Sequence, residues 1–317
     1  MARNPDCDTL FDYLEASPTA SHAVRSSLLL LETSGTTELR EDRSWKQESL
    51  HGLHSVVRGD SSLLAFRWPS CSSPAELHFR IIVAHTDSPA LKLKPGPASA
   101  VAGCSRWGLE VYGSPLFASW LDRDLGIAGR VSWQAGDRIL TRLIRSDKVV
   151  RIPQLALHLN REVNEKGLLV DAQKHFPALM GGIQWGRQEL AALLGEAAGL
   201  SGEEVARARF ELFLFDLQKP SYCGLGDEFI ASGRLDNLAM CHAATRALIS
   251  APEVENIVQV ICLFDHEEIG SMTGQGAMSD FLIRNLSRYG AFRGLEGDDL
   301  SAALATQTVT TRPSPPF

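Results

Sequence analysis

The chain has 317 residues, of which 44% are hydrophobic and 22% charged, with a formal net charge of −7 at pH 7. That is enough apolar material for two domains or one large one, and the negative balance argues against nucleic acid or an anionic membrane surface as partner. No run of about 18 apolar residues occurs, and the opening Met-Ala-Arg-Asn-Pro-Asp-Cys-Asp lacks a signal-type hydrophobic stretch, so a cytoplasmic protein is expected.

In chain order, the hydrophobic pattern predicts helices at residues 8–16 and 20–33 and strands at 54–58, 63–68 and 78–84. A parallel-sheet core could begin this way. The third strand closes as Ile81-Ile82-Val83-Ala84-His85-Thr86-Asp87-Ser88-Pro89, where the proline stops it. In such a His-x-Asp step the imidazole can ligate a metal through one nitrogen while the carboxylate orients it. A single histidine at a strand end can equally be structural.

From residue 94 to 227 the texture changes to shorter strands with turn signals, at 109–112, 128–134, 137–144 and the 153–159 run. Helices follow at 186–194 and 201–209, then a strand at 210–217. This stretch is expected to be a mostly β domain inserted between residues 1–93 and 228–317, which together make an α/β domain. Trp107, Trp120 and Trp133 are expected in core or interface.

Beyond the insert, Gly233-Arg234-Leu235-Asp236-Asn237 leads into Leu238, Cys241, Ala244 and Leu248 at helical spacing. Asp236 or Asn237 there is either a helix N-cap or a ligand. The apolar run Ile257-Val258-Gln259-Val260-Ile261-Cys262-Leu263 predicts a buried strand that ends in Phe264-Asp265-His266-Glu267-Glu268-Ile269-Gly270. Of two adjacent carboxylates, one can hold a metal while its neighbour takes a proton from the metal's water. An ordinary acidic loop has the same composition. Gly270, Gly274 and Gly276 suggest either a tight backbone or a simple turn, and a helix is predicted at 279–288. Residues 306–317, with Pro313, Pro315 and Pro316, are expected to be disordered and unable to form a core strand.

The six cysteines are scattered without a Cys-x-x-Cys pair, which points to buried thiols in a reducing compartment, with Cys241 and Cys262 in the core. One His, one Asp and two Glu at element ends form a ligand set suited to zinc, manganese or cobalt. Spacing does not choose among these metals, nor show that the segments meet.

The chain resembles the aspartyl aminopeptidases, cytosolic dinuclear zinc exopeptidases, almost from end to end. The motifs that carry the likeness include Ser21-His22-Ala23-Val24, Ala84-His85-Thr86-Asp87-Ser88-Pro89 and Trp120-Leu121-Asp122-Arg123-Asp124-Leu125. They continue with Ile152-Pro153-Gln154-Leu155-Ala156-Leu157-His158-Leu159-Asn160, Arg234-Leu235-Asp236-Asn237 and Asp265-His266-Glu267-Glu268-Ile269-Gly270-Ser271. The resemblance implies an α/β fold: a phosphorylase/hydrolase-like zinc peptidase domain carrying a mostly β inserted dimerisation domain, in a homo-oligomer. It implies two Zn2+ per site, with His85 on one, Asp236 bridging both and Glu268 on the other. Glu267 would be the general base and Asp87 the support of His85 and the metal pair. His158 would contact substrate from the middle domain.

The implied reaction is release of an N-terminal Asp or Glu from a peptide. The family also carries an Asp in a Ser-Ala-Asp-x-Ala-His type segment and a His near its C-terminus as ligands. Neither motif occurs in these 317 residues, so the sequence reads as a C-terminally truncated member. Weakened metal binding is then expected, and the alternative to an active aminopeptidase is an impaired subunit that keeps the oligomerising domain.

Overall fold

Two helices open the chain, α1 (Pro5–Ala16) and α2 (Ala20–Glu32). On α2 the buried side chains Ala23, Val24, Ser27 and Leu31 recur at near-helical spacing, which gives the helix one face for a core. Strands β1 (Thr37–Leu39), β2 (Gly52–Arg58), β3 (Ser62–Trp68) and β4 (His78–His85) follow. The β2–β3 hairpin turns through Gly59 and Asp60, both with left-handed backbone, as tight antiparallel turns require. In this computed structural model, residues 5–45, 52–69, 77–95, 99–292, 294–295, 297–298, 301–302 and 308–310 are described.

The chain divides into two compact units, Met1–Ser88 with Pro220–Phe317, and Pro89–Lys219. The second unit contains β5 (Ala90–Leu93), β6 (Ser99–Val101), β7 (Cys104–Trp107), β8 (Leu109–Tyr112), β9 (Leu125–Ala135) and β10 (Arg138–Val150). Short helices α3 (Val163–Lys166) and α4 (Ala172–His175) precede β11 (Ala178–Gly182), and α5 (Arg187–Ala197), α6 (Gly202–Arg207) and β12 (Arg209–Asp216) complete it. One antiparallel sheet has the order β10-β9-β12-β5-β8 and a smaller one β11-β7-β6. β5 pairs with β12 and β8 and so belongs to the sheet of this second unit. Trp107 and Trp133 are buried in this unit's core, and Trp120 packs against it. Ser201 caps α6 in a box with Glu204, a start legible from Ser-x-x-Glu.

One predicted strand here is not formed. The 153–159 run makes a single bridge upstream, Arg151 with Leu179, and then turns through a 3-10 segment at Leu157–Leu159. Pro153 has no N–H for a ladder, and Leu155, Leu157 and Leu159 are exposed.

In the first unit the chain resumes with the hairpin β13 (Ser221–Cys223) and β14 (Phe229–Ala231), then α7 (Leu235–Ser250), β15 (Ile257–Phe264), α8 (Phe281–Phe292) and β16 (Thr308–Thr310). The sheet has the order β1-β2-β3-β15-β4-β16. It is mixed: β15 runs parallel to β4 and antiparallel to β3. Alternate residues serve opposite faces. Leu64, Phe66 and Trp68 with Val258, Val260, Cys262 and Phe264 pack with α8, whereas Leu63, Ala65, Ile261 and Leu263 join the side chains of α1, α2 and α7.

The strand at Thr308–Thr310 corrects the expectation for the C-terminal segment. It pairs parallel with Arg80, Ile81 and Ile82, and the prolines lie after it, so no ladder donor is lost. Residues 303–307 and 311–317 lie outside the described residues. Of the cysteines, Cys241 and Cys262 are buried as expected, but Cys7, Cys104 and Cys223 are partly exposed, and Cys71 lies outside the described residues.

Candidate metal centre

Parallel pairing aligns the ends of two strands distant in sequence, His85 of β4 lying opposite Phe264 of β15. Both chains leave the sheet at this same carboxyl edge, the position where α/β sheets present functional side chains. After β4 comes Asp87; after β15 come Glu267 and Glu268, in a 3-10 turn between left-handed His266 and Gly270. The third contribution is the start of α7. Asp236 and Asn237 have non-helical backbone there, and the peptide bond between them is cis.

These segments converge. His85 Nε2 lies 3.4 Å from Asp236 Oδ1 and 3.8 Å from Glu267 Oε2. Donor atoms of His85, Glu267 and Glu268 all lie within 4.8 Å of one another, one set among the described residues that could share a cation. On the other side of the imidazole, Nδ1 lies 3.2 Å from Asp87 Oδ1 and 3.1 Å from the Asp87 carbonyl. A proton on Nδ1 donated to Asp87 leaves the Nε2 lone pair facing the carboxylates, the tautomer a metal needs.

Asp87 is buried and works in two directions. Its Oδ1 accepts from the Glu267 N–H at 3.2 Å and its Oδ2 from the Glu268 N–H at 3.1 Å, so one carboxylate fixes both the imidazole and the turn bearing the glutamates. Burial works to lower the His85 pKa, but the hydrogen-bonded Asp87 carboxylate, with Glu267 and Asp236 beyond it, outweighs burial and raises it. Burial and then the Asp87 charge push the Glu268 carboxyl up to about 7, with Glu267 and Asp236 adding to the effect. A carboxyl pushed up in this way by burial and neighbouring negative charge marks a place that a divalent cation would neutralise, and carboxylates with an imidazole nitrogen match a zinc-type donor set. His85, Glu267 and Glu268 therefore fit a metal, while Asp236 lies beside the imidazole but outside that mutually close set.

The loop beyond is pinned by Ser62 and Arg58, to which the sequence pattern assigns no role. Ser62 Oγ donates to the Gln275 carbonyl at 2.8 Å and accepts from the Asp265 N–H at 3.0 Å. Arg58 reaches the Gly274 carbonyl at 3.2 Å and Asp280 at 2.7 Å. The available signal was a buried hydroxyl at the start of an otherwise apolar strand. Of the three glycines, Gly270 needs its left-handed φ of 97°, and a Cβ on Gly276 would stand 2.2 Å from the Ser271 carbonyl oxygen, whereas Gly274 faces open space. His158 lies in the second unit, exposed in the Leu157–Leu159 turn.

The chain is similar to known zinc metalloproteases. The profile of the Aminopeptidase I zinc metalloprotease (M18) family matches residues 13–307. A Pseudomonas paraeruginosa protein named "Probable M18 family aminopeptidase 2" is 42% identical over 301 residues, covering 93% of this chain and 68% of that protein. Among solved structures, a chain of the cryo-EM structure of the Ape4 and Nbr1 complex aligns with a TM-score of 0.89 at 32% identity, over 96% of this chain and 62% of that one. A chain of the S. cerevisiae mApe1 dodecamer aligns with a TM-score of 0.75 at 26% identity, over 98% of this chain and 68% of that one. The chain thus spans about two thirds of the length of such relatives.

Proposed function

The chain belongs to the Aminopeptidase I (M18) zinc metalloprotease family, and on that premise we propose that it is a metal-dependent aminopeptidase that removes acidic N-terminal residues from peptides. The observation that carries this reading is the convergence of His85, Asp236, Glu267 and Glu268 at the carboxyl ends of β4 and β15. His85 through Nε2, Asp236 and Glu268 would hold zinc, two ions per site with Asp236 shared. When bound, such ions supply Lewis acidity, polarising the scissile carbonyl and lowering the pKa of water. Glu267, with 55% of its side chain exposed beside His85, accepts the water's proton and returns it to the leaving amine. Asp87 keeps the imidazole and the glutamate turn in register. The preference for Asp or Glu at the substrate's N-terminus follows from the motif resemblance, as does the substrate contact assigned to His158.

The reading extends to a cytoplasmic homo-oligomer, with the second unit as the dimerisation domain. Exposed Leu155, Leu157, Leu159 and Leu169 give that unit apolar surface suited to a second copy, and one structural neighbour is a dodecamer. No helix among the described residues is long and apolar enough to cross a membrane.

The test is hydrolysis of aspartyl, glutamyl and leucyl chromogenic amides by the full chain with added Zn2+ or Co2+. Metal-dependent turnover of the acidic substrates is expected, falling about 100- to 10,000-fold in Glu267→Gln while metal stays bound. Turnover that survives Glu267→Gln, or none at any metal concentration, would refute the proposal.

A further inference from the structure

His85 is held by its ring through Asp87, but its main chain is held from elsewhere. In a parallel ladder successive residues direct their N–H and C=O to opposite neighbours. Thr86 donates its N–H to Phe264 of β15 at 2.7 Å, so the His85 groups face the other side of β4. There β16 pairs with β4 only at Arg80, Ile81 and Ile82 among the described residues. Both His85 groups are met instead by side chains of α7. Asn237 Oδ1 accepts the His85 N–H at 3.3 Å, and Cys241 Sγ donates to the His85 carbonyl at 3.0 Å. The Asn237 amide also donates through Nδ2 to Asp236 Oδ1 at 3.2 Å. Asn237 and Cys241 are both buried, Asn237 in the non-helical start of α7 and Cys241 in the regular helix beyond it.

We infer that Asn237 and Cys241 are positioning residues for the metal centre. Together they grip the main chain of His85 by its N–H and its C=O, and Asn237 ties that grip to the Asp236 carboxylate, setting the distance between two ligands that come from different elements. Their consequence is affinity: a His85 free to drift along β4 no longer presents Nε2 to Asp236 at the spacing one cation needs. The inference rests on the metal reading above.

The test uses the full chain with Co2+ as the probe, whose visible absorption reports affinity and ligand geometry together. Cys241→Ala and Asn237→Ala each remove one grip, while Cys241→Ser keeps a donor where the sulfur stands. Each alanine change is expected to weaken Co2+ about 10- to 100-fold, the usual cost of losing a group that orients a ligand. Cys241→Ser is expected to restore most of the affinity and the wild-type spectrum. Amide hydrogen exchange on the metal-free proteins supplies a second readout: the His85 N–H should exchange faster in Asn237→Ala and keep wild-type protection in Cys241→Ser. Equal loss in the alanine and serine variants at 241, or unchanged affinity and exchange in the alanine variants, would overturn the inference while leaving the metal reading intact. A wild-type chain that takes up no Co2+ would overturn the metal reading and this inference with it.

Discussion

Asp87→Asn separates the support of the site from its ligands. The native carboxylate accepts three hydrogen bonds, from His85 Nδ1 and the Glu267 N–H at 3.2 Å and from the Glu268 N–H at 3.1 Å. Asparagine has nearly the same shape but one acceptor oxygen, so its NH2 must face either the imidazole N–H or a glutamate N–H. Losing one bond to a buried charged acceptor costs about 1.5–3 kcal/mol, or roughly 10- to 150-fold in an equilibrium. A compensating effect exists, because Asp87 is the first charge among those holding the Glu268 carboxyl at about 7. At neutral pH such a group is about half protonated, so releasing its proton recovers only about a factor of two. The loss therefore dominates. Calorimetric titration of the metal-free protein with Zn2+ should show affinity falling at least about tenfold. Equal or tighter binding by Asp87→Asn would refute the view that this carboxylate organises the centre.

Glu41 tests an ion pair of the same unit. Burial works against its ionisation, but Arg58 at 2.6 and 2.9 Å and Asn285 at 3.0 Å outweigh it and hold the carboxyl below its ordinary pKa. Its contribution to stability is thus complete above the unfolded-state pKa and disappears as pH falls through the lower folded-state value. Urea unfolding at pH 7 and pH 3 should show Glu41→Gln losing less stability on acidification than wild type, and equal losses would contradict the pairing. In the loop after the glutamates, Gly276→Ala meets the Ser271 carbonyl and should cost about 1–3 kcal/mol, while Gly274→Ala, facing open space, should stay within about 0.5 kcal/mol. Matching thermal midpoints for the two variants would show that the loop does not need its close backbone approach. Zn2+ at about 100 times its dissociation constant should add about 2.7 kcal/mol of apparent stability over protein in EDTA. A thermal midpoint insensitive to Zn2+ would speak against binding to the folded state.

The parts of this fold legible in the sequence are those whose period is unbroken over several residues. Residues 63–68 and 257–263 alternate between two cores or run apolar throughout, and both became strands close to their expected limits. Short pieces such as Thr37–Leu39 and Ser99–Val101 carry too few residues for a period, and their pairing comes from the sheet around them. The 153–159 run had strand-like composition, but Pro153 and the lack of a ladder partner outweighed it. Prolines near the C-terminus mask the strand character of Thr308–Thr310, which precede them and pair with β4.

At the site, each ligand-type side chain stands at the edge of an apolar element, yet only the parallel alignment of β4 with β15 explains why His85 and the glutamates meet. Cys241 was read as a core residue from its helical spacing. Its bond to the His85 carbonyl depends on where α7 lies, which spacing does not encode.

The most direct measurement is anomalous diffraction at the zinc or cobalt edge from crystals of the metal-loaded full chain. The expected result is a peak about 2.0–2.1 Å from His85 Nε2 and about 2.0–2.2 Å from a carboxylate oxygen of Asp236 or Glu268. Metal bound elsewhere, with His85 still turned only toward Asp87, would contradict the assignment of this cluster as the metal centre.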